Sequence, residues 1–160
     1  MDRLYTPWRY AFISAPKTDE CVFCAKLAMS DEDALIVYRG RQCYVCLNTY
    51  PYNNGHVMVI PFAHVGSLSN VPHDAAVEMM ELAQLTETVL RREYSPDGIN
   101  MGMNLGKAAG AGVADHVHLH ALPRWTGDAN FMTVVGETRV LPEDLKQTWD
   151  RLHSAFRLSS

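Results

Sequence analysis

Three histidines alternate with other residues in one short stretch, residues 116–120. The residues between them are apolar, and an alternation with a period of two predicts a β-strand, so His116, His118 and His120 would share one face. Neighbours on that face lie about 6.5–7 Å apart along a strand, which lets three imidazoles serve one ligand. The alternatives are a transition-metal site and an exposed strand face that carries histidine without chemical purpose. Three of the seven histidines fall within five positions, which argues against chance.

A glycine-rich stretch lies directly before these histidines. Residues 106–112 read Gly-Lys-Ala-Ala-Gly-Ala-Gly, and such small residues let backbone N–H groups come close to an anion. The stretch matches neither a P-loop nor the dinucleotide-binding pattern, and by itself it would be read as a turn. Its place next to three imidazoles predicts a site for a phosphate and for the nucleophile that attacks it.

The four cysteines form two pairs with the same spacing, Cys21 with Cys24 and Cys43 with Cys46. This spacing fits a four-cysteine zinc site. On a predicted strand over residues 43–48, however, Cys43 and Cys46 would point to opposite faces, so we expect them to be small core residues. Cys21 and Cys24 precede a short helical pattern, and a pair at the start of a helix can chelate a metal.

Length and charge limit the possible functions. A chain of 160 residues with 48% hydrophobic and 20% charged residues predicts a single domain over 1–160. The net charge of −4 argues against broad nucleic-acid binding, because there is no basic stripe to neutralise a phosphate backbone. No apolar run approaches the roughly 20 residues of a membrane span, and the N-terminus lacks a signal-peptide core. We therefore expect a cytoplasmic protein with no membrane or nucleic-acid partner.

The elements that must position these residues follow from periodicity and turn signals. Strands are predicted over residues 35–39, 43–48, 56–61, 99–104 and 116–122, helices over 72–94 and 142–157, and a further strand or irregular segment over 132–140. The long helix carries Glu78 and Glu81 on its predicted polar side. This order predicts an α+β fold with an antiparallel sheet. Residues 1–20, rich in aromatics and proline, form a predicted arm before the core, residues 21–125.

The stretch His116-Val117-His118-Leu119-His120-Ala121-Leu122 resembles the motif of the histidine-triad (HIT) family. The resemblance extends upstream to residues 55–61, to Asn48 after a hydrophobic strand, and to Asn104 before the glycine-rich loop, and it covers roughly residues 20–125. Residues 47–53 and 123–131 resemble more closely the bacterial branch that is similar to diadenosine tetraphosphate phosphorylase. The resemblance implies a HIT-like fold.

The resemblance also implies a reaction. His118 would attack the α-phosphate of a nucleotide to give a covalent nucleotidyl-imidazole, and His120 would contact the phosphate oxygens. An imidazole with its unperturbed pKa of about 6.5 is largely neutral at pH 7 and can act as this nucleophile. The leading interpretation is phosphorolysis of a dinucleoside polyphosphate with phosphate as co-substrate. A HIT-family nucleotide or phosphoramidate hydrolase, a nucleotide-sensing module without turnover and a purely metal-binding module are the alternatives.

The nucleotide-binding residues are likewise implied by the resemblance. Asn48 stands where many members carry an acid that holds the ribose hydroxyls, and an amide can also pair with a diol. Asn104 and the backbone amides of Gly110, Ala111 and Gly112 would bind the phosphates. Many members have glutamine where this chain has Ala111, so a side-chain contact to the phosphate is missing or moved, which favours the phosphorylase-like branch.

Zinc-containing relatives imply a metal site that joins Cys21 and Cys24 to His64 and His116. Such a closed Cys2His2 site would be structural and would pin the N-terminal segment to the catalytic strand. The alternative is two free thiols and a surface His64. No organic cofactor is implied. The resemblance further implies a homodimer with the long helix near the interface.

Overall fold

The structure, a computed structural model, describes residues 20–128 and 142–159. Along these residues the elements are α1 (Val22–Lys26), α2 (Asp31–Ala34), β1 (Ile36–Arg39), β2 (Cys43–Leu47), β3 (Val57–Pro61), α3 (His73–Tyr94), β4 (Gly98–Gly102), β5 (Leu119–Arg124) and α4 (Leu145–Arg157), with short 3-10 turns at Leu68–Asn70 and Lys107–Ala109. Within the described ranges, no helix is both long and apolar enough to cross a bilayer.

The five strands form one sheet in the order β1-β2-β3-β5-β4, and every neighbouring pair is antiparallel. β5, which contains His120, therefore lies inside the sheet between β3 and β4. Backbone hydrogen bonds on both sides hold its position, so side chains at its start are fixed as well. The predicted α+β fold with an antiparallel sheet is confirmed.

The two faces of the sheet are covered differently. Helices α3 and α4 pack on one face, where Cys43 belongs to the main hydrophobic core. The other face carries a smaller cluster that includes Tyr44, Cys46 and Phe23 of α1. The prediction that Cys43 and Cys46 point to opposite faces is confirmed. The Tyr44 hydroxyl donates to the Phe23 carbonyl at 2.8 Å, which ties α1 to the centre of the sheet.

The prediction for Glu78 is wrong, because this side chain is buried and not part of the polar side of α3. It is 6% exposed, and its carboxylate accepts the backbone N–H groups of Arg41, Gln42 and Cys43. Burial would raise the pKa of Glu78, but the three N–H donors outweigh burial and hold it below its usual value. The carboxylate therefore organises the β1–β2 turn from the helix.

The histidine strand begins later than predicted. β5 starts at Leu119, whereas the alternation predicted a strand from residue 116. The segment before it follows the loop after β3, because the N–H of Val117 donates to the carbonyl of Val65 at 2.7 Å. The first two histidines therefore lie in a loop that leads into the sheet, and their positions depend on contacts outside the strand ladder.

The C-terminal helix also begins later, at Leu145 rather than at residue 142. Asp144 caps it, since its carboxylate accepts the N–H of Gln147 at 2.8 Å. The predicted arm over residues 1–20, apart from Glu20, lies outside the described residues. The predicted segment over 132–140 lies outside them as well.

Candidate active site and metal centre

A cleft of about 380 Å³ opens on the sheet face that α1 covers. Its walls come from α1, the end of β2, the turn after it, β3, the glycine-rich loop and the histidine segment. The lining residues are Val22, Phe23, Lys26, Asn48, Thr49, Tyr50, Tyr52, Met58, Asn104, Gly110, Gly112, Val113, His118 and His120. Both histidines predicted to be catalytic thus face the same space as the predicted nucleotide-binding asparagines.

His118 is held in one tautomer by the backbone before it. Its Nδ1–H donates to the carbonyl of His116 at 2.9 Å, which leaves the lone pair of Nε2 for reaction. Burial lowers the pKa of His118, while this hydrogen bond acts in the opposite direction without cancelling it. The Phe23 ring lies 4.9 Å from the imidazole, centroid to centroid. A buried, neutral imidazole with a defined free nitrogen can act as a nucleophile.

The tautomer of His120 is set by another buried histidine, His56. The backbone N–H of Tyr52 donates to Nδ1 of His56 at 3.1 Å, so the proton of His56 lies on Nε2. That Nε2 lies 2.9 Å from Nδ1 of His120 and donates to it. The proton of neutral His120 therefore lies on Nε2, the nitrogen away from His56, where it can be donated to a ligand.

The cleft keeps these imidazoles uncharged. Burial, together with repulsion from His118, lowers the pKa of His120 to about 4. The two rings lie 4.8 Å apart and nearly perpendicular, so they cannot both be protonated without strong repulsion. At neutral pH the pair offers one nucleophilic nitrogen and one N–H donor.

Sequence reasoning missed His56 as a site residue, although it is only 1% exposed and contacts His120. The signal was present in the strand parity. His56 alternates with Met58 and Ile60, and Met58 pairs with His120 across the β3–β5 ladder. Alternate residues before and along β3 share one face of the sheet with His120, so His56 lies beside the histidine triad.

The predicted nucleotide-binding residues only partly assemble as expected. Asn48, Asn104, Gly110 and Gly112 line the cleft, but Ala111 does not. The oxygen of the Asn48 side chain accepts the N–H of Tyr50 at 2.9 Å, which fixes the amide at the edge of the cleft. The amide group is therefore held in one orientation there.

The amides of Gly110 and Ala111, which are predicted to bind phosphate, donate to carbonyls within their own loop. The N–H of Gly110 donates to the carbonyl of Lys107 at 3.0 Å, and the N–H of Ala111 donates to the carbonyl of Gly106 at 3.3 Å. The loop closes these hydrogen bonds because residues Lys107–Ala109 form a 3-10 turn. A phosphate would have to displace one of them to use either amide.

Lys26 is a further cleft residue that sequence reasoning missed. It lies on α1 with Val22 and Phe23, at positions that face the cleft together. Its ammonium donates to the carbonyl of Ala34. The signal available in the sequence was a basic residue within one turn of the Cys-x-x-Cys pair.

The predicted metal ligands come together beside the start of the histidine segment, at His116. Cys21, Cys24, His64 and His116 each offer a ligand atom, and these atoms all lie within 4.8 Å of one another. Nδ1 of His116 lies 3.4 Å from Sγ of Cys21 and 3.3 Å from Nδ1 of His64. Two thiols and two imidazoles converging in this way can hold a metal ion.

His116 is oriented for this role by the end of β3. Its Nε2–H donates to the carbonyl of Pro61 at 2.8 Å, so Nδ1 is unprotonated and directed at the cysteines. Burial lowers the pKa of His116, which also favours the neutral imidazole that a metal requires. His116 and His118, two residues apart, are thus held by different carbonyls, so one ring is directed at the cysteines and the other faces the cleft.

Comparison with known proteins decides the family. The family model for the HIT domain matches residues 30–127. The chain belongs to the HIT family. Among curated HIT relatives, a Mycobacterium tuberculosis protein named AP-4-A phosphorylase is 39% identical over 157 residues, covering 92% of this chain and 80% of the relative.

Solved HIT structures share the fold. A Zn-bound histidine triad family protein from Mycobacterium smegmatis matches with a TM-score of 0.69 and 29% identity, covering 87% of this chain and 94% of the other. A hypothetical histidine triad nucleotide-binding protein from Sulfolobus tokodaii matches with a TM-score of 0.67 and 25% identity, covering 87% and 91%. The HIT-like fold expected from the motif is confirmed.

Proposed function

We propose that this HIT protein is an enzyme that cleaves a nucleotide phosphoanhydride through a nucleotidyl-His118 intermediate, with a dinucleoside polyphosphate such as diadenosine tetraphosphate as substrate. The observation that carries the proposal is the pair of tautomers in the cleft. His118 presents an unprotonated Nε2, and His120 carries its proton on Nε2. The similarity to a protein named AP-4-A phosphorylase, over most of both chains, supports this choice of substrate.

In the first step, Nε2 of His118 attacks the α-phosphorus, the P–N bond forms and the phosphoanhydride P–O bond breaks. With diadenosine tetraphosphate, ATP leaves and AMP remains on His118. The Nε2–H of His120 donates to a phosphate oxygen and stabilises the charge that develops there. Lys26 adds a positive charge to the cleft that receives the polyphosphate.

In the second step, an oxygen of inorganic phosphate attacks the same phosphorus, the P–N bond breaks, and ADP forms. Attack by water instead would give AMP. Asn48 would hold the ribose hydroxyls, and Asn104 with Gly112 would contact the phosphates, since all three line the cleft. Gly110 would contact the phosphates as well once its hydrogen bond within the loop opens. Ala111 is the weaker candidate for a phosphate contact, because it does not line the cleft.

We also infer that the metal is a structural zinc ion. With zinc–sulfur distances of about 2.3 Å and zinc–nitrogen distances of about 2.0–2.1 Å, a tetrahedral site places nitrogen and sulfur about 3.5–3.6 Å apart and two nitrogens about 3.3–3.4 Å apart. The observed separations are 3.5 and 3.6 Å from Sγ of Cys24 to Nδ1 of His64 and of His116, and 3.3 Å between the two imidazoles. Four protein ligands complete the shell, so the ion would hold the segment in place and leave the chemistry to the imidazoles.

A homodimer is part of the proposal. α3 exposes Val77 and Met80, which are 46% and 60% exposed, and β4 exposes Met101. β4 is one of the two edge strands of the sheet among the described strands. Burying these apolar groups against a second copy would remove them from water and cover the sheet edge.

The test is product analysis with labelled phosphate. Diadenosine tetraphosphate is incubated with the protein in the presence and absence of inorganic [³²P]phosphate. Phosphorolysis predicts ATP and ADP only when phosphate is present, with the label in the β-phosphate of ADP. AMP and ATP without phosphate would assign hydrolysis instead.

His118→Ala is the control for the covalent step. It removes the attacking nitrogen, so turnover should fall by at least about 1,000-fold. Turnover of substrate labelled in the α-phosphates is quenched by denaturing the protein. The denatured wild-type protein should carry acid-labile AMP, and the variant should carry none. If the variant keeps wild-type activity, the proposed nucleophile is wrong.

A further inference from the structure

The turn over residues 50–55, between β2 and β3, packs against the end of β5, and its Tyr50 and Tyr52 also line the cleft. Gly55 has a φ of +74°, and a Cβ there would lie 2.9 Å from the Tyr94 ring and 3.2 Å from the Pro123 ring. Glycine is required for both reasons. Tyr52 belongs to this turn, and its N–H is the group that fixes the tautomer of His56.

The side chain of Asn53 fastens the turn to the end of β5. Its amide Nδ2 donates to Oδ2 of Asp128 at 3.0 Å and to the carbonyl of Pro123 at 3.2 Å. Asp128 in turn accepts from Nε of Arg124 at 2.6 Å and from the N–H of Trp125 at 3.2 Å. The hydrogen-bonded Arg124 guanidinium holds the pKa of Asp128 at about 2, so the carboxylate stays ionised at any working pH.

This anchor is rigid because it is itself part of the sheet. Arg124 is the last residue of β5, and it also donates to Oδ1 of Asn100 on β4 at 2.8 Å. Two hydrogen bonds inside the turn are longer than the bond from Asn53 to Asp128, which measures 3.0 Å. The N–H of His56 reaches the carbonyl of Asn53 at 3.3 Å, and the N–H of Asn54 reaches its side-chain oxygen at 3.2 Å. The anchor therefore adds to the contacts that hold the ends of the turn, where Asn48 accepts the N–H of Tyr50 and donates its own N–H to the carbonyl of His56, both at 2.9 Å.

We propose that Asn53, held by the Arg124–Asp128 pair, is a positioning residue for the reaction. It fixes the turn so that the Tyr52 N–H meets Nδ1 of His56, and His120 consequently keeps its proton on Nε2. The inference rests on the proposed function, because it concerns the donor to the phosphate. Neither Asn53 nor Asp128 lines the cleft, so their effect passes through the turn.

The test uses Asn53→Ala, which removes the amide but leaves the Arg124–Asp128 pair. Asp97→Asn is the matched control, since Asp97 accepts the N–H of Thr126 in the same corner of the molecule without contacting Asn53. Two measurements are made on each protein: kcat and KM for diadenosine tetraphosphate with phosphate, and the histidine tautomers from two-bond ¹H–¹⁵N correlation spectra. Thermal melting checks that each variant is folded.

We expect Asn53→Ala to lower kcat by about 10- to 100-fold, the effect of a misplaced reacting group, with KM changed less than about twofold. His120 should shift from the Nε2–H tautomer to a mixture. Asp97→Asn should retain the wild-type tautomer and kcat. Wild-type tautomers and kcat in folded Asn53→Ala would overturn the inference.

A reversal of donor and acceptor tests the pair itself. Asn53→Asp places two carboxylates together and should be more damaging than Asn53→Ala. Adding Asp128→Asn restores one hydrogen bond in the opposite direction, so the tautomer of His120 and kcat should recover in part. A double variant as impaired as Asn53→Asp would contradict the assignment. The tautomers can be read even if the protein lacks phosphorylase activity, so failure of the inference is distinguishable from failure of the proposed function.

Discussion

The imidazoles in this protein differ because a different neighbour fixes each ring. The carbonyl of His116 makes Nε2 of His118 the free nitrogen, and the carbonyl of Pro61 makes Nδ1 of His116 the free nitrogen. His120 receives a donor from His56 instead of a carbonyl, which reverses its tautomer relative to His118. Three residues of one type thereby gain different protonation patterns, which fit the proposed roles of metal ligand, nucleophile and donor.

A prediction at this scale concerns His56. His56→Leu removes the donor to His120, and we expect kcat to fall by about 10- to 100-fold because the proton of His120 is no longer fixed on Nε2. His56→Gln keeps an amide donor and should recover part of the loss. Steady-state kinetics with diadenosine tetraphosphate and phosphate measure both. Equal kcat in His56→Leu and wild type would contradict the role assigned to His56.

At the scale of elements, α1 is the piece that joins the two sites. Its N-terminal end offers the cysteines, and its cleft-facing side offers Phe23 and Lys26. A helix of five residues has little stability of its own. The hydrogen bond from Tyr44 to Phe23 and the proposed metal are what hold it on the sheet.

Loss of the metal should therefore lower the stability of the whole protein. We expect Cys24→Ala to lose zinc and to lower the melting temperature, because a structural metal contributes folding free energy. Cys46→Ala is the matched control, since Cys46 lies in the core and is not a member of the ligand group. Elemental analysis of protein purified without added zinc should give one ion per chain for wild type and Cys46→Ala. Full occupancy in Cys24→Ala would contradict the site.

Glu78 connects α3 to the β1–β2 turn, and its replacement should be costly. Glu78→Gln leaves one acceptor for three N–H donors, so we expect unfolding to require about 1–3 kcal/mol less free energy. Glu81→Gln on the same helix is exposed and should have little effect. Denaturant unfolding measures the difference.

The pH dependence of this effect has a definite sign. The pKa of Glu78 is lower in the folded state than its ordinary value of 4.5. The unfolded chain therefore binds more protons as the pH falls, and the stabilisation is complete above about pH 4.5 and is lost as the pH drops through the folded value. Glu78→Gln should not show this loss. A difference between the two proteins that stays constant at low pH would contradict the assignment.

At the scale of the whole molecule, one face of the sheet carries the cleft with the candidate catalytic residues, and the other carries the main core. Helices α3 and α4 bury the core face, so the cleft face can hold polar groups without weakening the fold. The proposed dimer would use the outer side of α3 and the edge strand β4. Neither contains a residue that lines the cleft.

The assembly prediction follows from this separation. Met80→Glu places a charge on the exposed side of α3, and we expect it to convert a dimer of about twice 17.9 kDa into a monomer. Met29→Glu, at another exposed methionine, is the matched control. Light scattering coupled to size-exclusion chromatography reports the mass. A wild-type monomer, or a Met80→Glu dimer, would contradict the proposed interface.

The sequence alone determined the family, the fold class and most residues of both candidate sites. Alternation around His118, the Cys-x-x-Cys pair and the order of the elements are local patterns, and such patterns are set by backbone geometry over a few residues. These patterns can be recognised without knowledge of the tertiary contacts. The opposite faces of Cys43 and Cys46 followed from strand parity in the same way.

The tertiary structure decided which ring nitrogen of each site histidine carries the proton and which neighbouring group fixes that tautomer. His56, Glu78 and Asn53 act through partners that are 64, 35 and 75 residues away in the chain. No local pattern encodes such pairs, because the sheet register and the path of the loops bring them together. The start of β5 at Leu119 has the same cause, since the hydrogen bond from Val117 to Val65 outweighs the local alternation.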